Sequence, residues 1–143
     1  MQEMDPKLAR TMPELIRAAA AAYGDEIAVR TDEEDGAGEA LSFRQLDERS
    51  ALIARGLLAM GIGKGARVGF IQGNNPGFAV LLAAIARIGA VAVPISTMIR
   101  ANELVRVLRQ SDIGGLFVQR ELLGHDMVER LCEALPGSRA GTA

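Results

Sequence analysis

The sequence predicts an α/β fold, a doubly wound and mostly parallel sheet with helices on both faces. Two observations carry this prediction. Helix and strand signals alternate along the chain with short joints between them, and the segments 67–71, 91–95 and 115–118 are nearly all apolar. Strands buried on both faces read as continuous apolar runs, and strand–helix–strand crossovers bring successive strands parallel with a right-handed connection. A chain of 143 residues fits one domain by length, able to bury about 68–70% of its unfolded surface.

Each element has a local reason. Pro13 suits the first turn of a helix that runs through the alanines at 18–22 and stops at Gly24. Residues 27–31 read as a strand, 32–38 as a polar loop, and 40–41 as a short strand pairing back. Ser42 with Gln45 three residues on forms a capping box for a helix carrying Leu46, Ile53, Leu57 and Leu58, which Gly61 ends. After strand 67–71, Asn74, Asn75 and Pro76 signal a helix start, with the helix over 78–88 and Gly89 ending it. The segment 91–95 is expected as the third central strand, followed by a helix over 102–111 and strand 115–118. A last helix over about 125–135 puts Met127, Val128, Leu131 and Leu135 on one face, and 136–143 reads as a frayed tail.

Composition removes several function classes. Sixteen basic and 18 acidic side chains give a formal charge of −2 with no basic block, so there is no electrostatic footprint for nucleic acid. The apolar run 77–86 is broken at Arg87, short of the roughly 18 residues that a membrane span needs. The first ten residues mix acids and bases where a signal peptide needs a continuous apolar stretch. One cysteine, Cys132, excludes an internal disulfide. The expectation is a cytoplasmic chain.

Five features invite a chemical reading. Gly61-Ile62-Gly63-Lys64-Gly65 groups glycines with a lysine, but a phosphate loop needs a strand before it, a helix after it and a hydroxyl following the lysine. Here a predicted helix precedes and a strand follows, which reads as a helix stop and a turn. Gly73-Asn74-Asn75-Pro76-Gly77 is better placed, following a strand and opening a helix where free amides can hold an anion. It lacks the G-x-G-x-x-G order, so capping is the preferred reading. His125 is expected in a helix's first turn as a solvated side chain, and Cys132 beside that helix's apolar face as a small hydrophobe. Asp32, Glu33, Glu34 and Asp35 match no calcium-loop spacing and read as a solvated turn.

Three ordered blocks carry a family resemblance. LSFRQLDERSALIARGLLAMGIGKGARV (41–68), GFIQGNNPGFAVLLAAIARIGAVAVPIS (69–96) and ANELVRVLRQSDIGGLFV (101–118) resemble consecutive segments of the adenylate-forming enzymes, the acyl-CoA synthetases and their relatives. The sharpest is ARIGAVAVPI at 86–95, similar to the family's AGAxxVP strand. Ala66, Ser42 and Ile88 depart mildly from the family's commoner residues, at structural positions.

The resemblance implies that residues 1–143 are the N-terminal part of an AMP-binding domain of incomplete fold, whose partner is the remainder of that domain. It implies a parent enzyme that joins a carboxylic acid to ATP and passes the acyl group to coenzyme A, with Mg²⁺ required. The alternatives are an adenylation domain loading a carrier protein and a non-catalytic α/β binding module. The family's phosphate loop, magnesium-linked glutamate and late lysine lie downstream of these blocks, and no T-S-G-T-T-G-like run occurs here. No catalytic, cofactor-binding or metal-ligating residue is therefore assigned, and neither tight cofactor binding nor adenylation by this fragment is expected.

Overall fold

The computed structural model describes residues 9–31 and 38–135. The chain divides into two compact units, one from residues up to Ala66 with Asn74–Val91, the other from Arg67–Gly73 with Ala92 onward. The acidic turn at 32–35 and the tail at 136–143 lie outside the described residues.

The first unit is mostly helical. Helix α1 spans Met12–Tyr23, with Pro13 in its first turn and Gly24 at its C-cap. Strands β1 (Ile27–Arg30) and β2 (Ala40–Ser42) pair antiparallel. Helix α2 (Phe43–Ala59) begins on the Ser42–Gln45 capping box, and helix α3 covers Pro76–Arg87 with Asn75 as its N-cap. Helix α2 packs against both α1 and α3. Its buried stripe is Ser50, Ala54 and Leu57, whereas Ile53 and Leu58, read with Leu57 as apolar positions at mostly helical spacing, are exposed. One residue is a 100° turn about the helix axis, so Leu58 follows Leu57 out of the packed stripe.

The α1 N-terminus adds a cap not anticipated above. Thr11 Oγ1 accepts the Glu14 N–H (3.3 Å), and the Glu14 carboxylate accepts the N–H groups of Arg10 (2.9 Å) and Thr11 (3.1 Å). Donation from the Arg10 backbone, then the Thr11 hydroxyl contact, holds the Glu14 carboxyl below its usual range. A depressed carboxyl stabilises the fold above its unfolded value, and the contribution is lost as pH falls through the folded value. Hydrogen-exchange protection of the Arg10 and Thr11 amides is therefore expected to fall on acidification through and below the ordinary glutamate range. In Glu14→Ala that pH step should vanish; its survival would show that another group controls this end of the helix.

Strands β3 (Arg67–Ile71), β4 (Val91–Pro94) and β5 (Gly115–Val118) form a sheet in the order β4-β3-β5, all of it but Val91 in the second unit. Strands β3 and β5 are parallel, Val68 opposite Gly115 and Ile71 opposite Val118. Val91 N–H donates to Ala66 O (2.7 Å) and Ile95 N–H to Phe70 O (2.9 Å). Four residues forward on one strand match four forward on the other, so this pair is also parallel. The α/β class with a parallel sheet is thus what the chain adopts. The middle strand is β3, and β4, expected to be central, lies at an edge of this three-stranded sheet. Helix α4 (Ala101–Ser111) precedes β5. Ile71, Ile95, Leu104, Leu122 and Met127 form the unit's buried cluster.

The last helix starts later than the sequence predicts. Glu121–Leu122 (β6) and His125–Asp126 (β7) pair antiparallel through Leu123 and Gly124, both at positive φ, as a two-residue hairpin requires. Helix α5 then covers Met127–Ala134, capped by Asp126. His125 is therefore an exposed strand residue, not a first-turn helix residue.

Gly89 follows α3 at φ +68°, and a Cβ there would stand 3.2 Å from Lys64 Cγ. A non-glycine residue in the left-handed region costs about 1–2 kcal/mol. Gly89→Ala should lower the chemical-denaturation midpoint correspondingly, and an unchanged midpoint would mean that the backbone relaxes out of this conformation.

Candidate functional site

The glycine–lysine segment is a turn. It follows α2 and precedes β3, with Gly61 and Gly65 both at φ +81°. The Gly65 N–H is committed to Gly89 O (2.9 Å), and the Lys64 stem lies against Gly89. No helix begins here to gather amides around a phosphate.

The segment from Gly73 to Gly77 does open a helix at the carboxyl end of β3. Its asparagine serves as a cap and its first N–H is committed elsewhere. Asn75 Oδ1 accepts the Phe78 N–H (3.3 Å), capping α3. The Gly73 N–H donates to Gln119 Oε1 (3.0 Å), a link within the second unit that ties the end of β3 to the residue following β5. Pro76, in the first turn of α3, has no N–H to offer. Capping is how this sequence spends its asparagine.

The remaining candidates do not converge. Asp126 Oδ1 accepts the N–H groups of Val128 (2.9 Å) and Glu129 (3.0 Å), so its carboxylate serves α5 and not His125. Cys132, expected beside the apolar face, is exposed. With the helix starting at Met127, Cys132 stands five residues on, about 140° around the axis from that buried methionine. Among the described residues no three His, Cys, Asp or Glu side chains gather as a metal site. The capped turn and the Asp126 carboxylate, as bonded here, serve helix ends.

One polar cluster was missed by sequence reasoning. In the first unit, Arg87 Nη2 is ion-paired to Asp47 Oδ1 and reaches Asp47 O (3.2 Å), while Arg87 Nε donates to Ser50 Oγ (2.9 Å). The cluster joins α2 to α3. The only sequence signal for it was an arginine interrupting an apolar run.

Comparison with known proteins supplies what the site geometry does not. Residues 16–142 match the family model described as AMP-binding enzyme. The chain belongs to the AMP-binding enzyme family. A relative in Bacillus subtilis (strain 168), YngI, named as an acyl-CoA synthetase, is 32% identical over 134 residues, 89% of this chain and 24% of its own length. Phosphinothricin tripeptide synthetase PhsC of Streptomyces viridochromogenes is 30% identical over 120 residues, 84% of this chain and 11% of its own. The solved adenylation domain of a Mycobacterium chelonae carboxylate reductase superposes with a TM-score of 0.71 at 26% identity, covering 91% of this chain and 21% of that one.

The chain thus adopts a part of the adenylate-forming fold, and it spans a quarter or less of YngI and PhsC. Its described elements are the scaffold of that part: a parallel sheet, its capped helices and the turns between them. No described helix is long and apolar enough to cross a membrane.

Proposed function

We propose that this chain is the N-terminal part of an ATP-dependent carboxylic acid:CoA ligase. The complete protein converts acid and ATP to an acyl-adenylate and pyrophosphate, then transfers the acyl group to coenzyme A in the cytoplasm. The single observation that supports this most is the match of residues 16–142 to the AMP-binding enzyme family. The YngI match, to a protein named as an acyl-CoA synthetase, favours coenzyme A as the acceptor. The described residues contribute a folded platform; nucleotide, Mg²⁺ and coenzyme A are held by the remainder of the domain.

A second reading, an adenylation domain that loads a carrier protein, is favoured by the match to a tripeptide synthetase. The acceptor separates the two. Extended by the remainder of its domain and given ATP and a panel of fatty and aromatic acids, the protein should sustain AMP release only with coenzyme A. Turnover that ignores coenzyme A and depends on a carrier protein selects the second reading. Absence of any carboxylate-dependent AMP formation overturns both.

The chain alone should not exchange labelled pyrophosphate into ATP in the presence of any acid, because adenylation requires a phosphate cradle and a metal site acting together. Exchange above background by pure protein would place catalytic groups within these residues.

A further inference from the structure

Helix α2 buries one stripe and turns a second apolar stripe to solvent. Leu52, Ile53 and Met60, the last at the helix C-cap, are exposed, Leu52 by 62%. Arg49, Leu52, Gly56 and Ala59 recur at steps of three and four, so they share one line on the helix surface, and all four are exposed. Ile53 and Met60 flank that line on one side. Glu48 and Arg55, both exposed, flank it on the other, and neither is ion-paired among the described residues. Gly56 lies inside the helix, where glycine is unfavourable. Nothing outside the helix backbone comes within 4 Å of the place its Cβ would take, so packing within the chain does not ask for a glycine there.

The face is complementary to itself. Take two copies of α2 laid antiparallel about a two-fold axis midway between Leu52 and Gly56. Leu52 of each copy then sits over the notch at Gly56 of the other, and symmetry makes the contact twice. In the same register Arg49 faces Ala59 of the second copy, and Ile53 meets its own counterpart beside the axis. Glu48 lies five residues, about 7.5 Å of helix, from the level of Arg55 of the second copy. Two long side chains span that offset, so each Arg55 has a carboxylate to turn to and the two arginines need not face each other. A parallel pair instead stacks Arg49 on Arg49 and Gly56 on Gly56, which opposes like charges and leaves a void. Charge and shape both select the antiparallel pair, and the occupant that they fit is a second copy.

We propose that the outer face of α2 is a self-association surface, through which two copies of this chain form an antiparallel, two-fold dimer with Leu52 of each seated on Gly56 of the other. The missing Cβ lets the helix axes approach to about 8 Å. The seam from Glu48 to Met60 covers about 18 Å of helix, at the small end of specific interfaces, so the dimer exchanges with monomer. The surface is independent of the ligase reading, which the AMP assay tests separately.

The test is sedimentation velocity of the full chain over a concentration series, which should show a reversible monomer–dimer equilibrium. Gly56→Gln separates an interface role from a folding role. Glutamine is the better helix former and meets open space, so the thermal midpoint should hold or rise. The notch is filled, so dimerisation should weaken about tenfold or more. Glu48→Arg and Arg55→Glu, each a change at an exposed position, should weaken dimerisation several-fold singly, and the double variant, which restores opposite charges across the axis, should recover most of the loss. Wild type that stays monomeric throughout overturns the proposal and leaves the face to another partner. A folded Gly56→Gln that dimerises like wild type overturns it too, and places the contact on another surface such as a sheet edge. A double charge variant no better than the singles overturns the antiparallel register, and the proposal with it.

Discussion

Arg87→Ala should destabilise the chain by about 3 kcal/mol, the lower end of the range for breaking a buried ion pair. The guanidinium is 14% exposed and its partner Asp47 28% exposed. Losing Arg87 leaves a carboxylate in a crevice with no cation. It also takes the Nε–H donor from Ser50 Oγ, on a residue with no exposed surface. The cost stays at the lower end because water can still reach Asp47, and because the Ser50 hydroxyl keeps its own bond to Asp47 O (3.1 Å). Arg87→Lys should recover only part of the loss, since an ammonium cannot span Asp47 and Ser50 with one rigid fork. Urea unfolding of the three proteins is the measurement. If Arg87→Ala costs less than about 0.5 kcal/mol, in the range of exposed surface pairs, the network is a decoration and not a tie between α2 and α3. High salt should change the difference little, because a mostly buried pair is poorly screened.

Legibility in the sequence followed the range of the forces involved. Capping is decided within four residues, so Ser42 with Gln45 and Asn75 before Pro76 could be read directly, and both cap as expected. Apolar runs marked β3 and β5 with bounds that the structure reproduces. The reading weakened where a partner distant in sequence decides the outcome. Arg87 and Asp47 are 40 positions apart, and no local pattern announces that they meet. The edge position of β4 depends on which strand is paired last, which hydrophobicity does not encode. His125 was misplaced for a local reason. The Leu123–Gly124 hairpin turn carries a leucine at φ +53° where asparagine or glycine is the usual signal.

The candidate site was legible mainly as family resemblance. The glycine–lysine segment and the asparagine turn resolve into a turn and a cap. The ordered blocks between 41 and 118 nevertheless placed the chain in its family, because they record how the sheet is built. Scaffold sequence was informative about ancestry and silent about substrate.

Gly69→Val should destabilise the second unit by about 2–3 kcal/mol, the upper part of the range for overpacking a core. Gly69 lies in β3 between the fully buried Val68 and Phe70, opposite Leu116 of β5. A Cβ added there would stand 2.6 Å from Ile113 Cδ1 and 3.1 Å from Leu116 Cδ1. Both distances are inside van der Waals contact, so the neighbours must move. Ile113 has somewhere to go, because it also lines the open groove beside β5. Gly69→Ala should therefore cost well under half as much, since the methyl displaces only the far end of one isoleucine. The lost flexibility of the unfolded chain offsets part of that strain, by about 0.4–1 kcal/mol. Valine adds two further branches that one rotamer change does not clear. Ile113→Val removes the atom in closest conflict, so in the double variant the penalty of Gly69→Val should shrink by about 1 kcal/mol relative to the sum of the singles. Guanidinium unfolding of the four proteins completes the cycle. Strict additivity would mean that the clash is relieved by backbone movement in β3, and that glycine at this position is not there to admit Ile113.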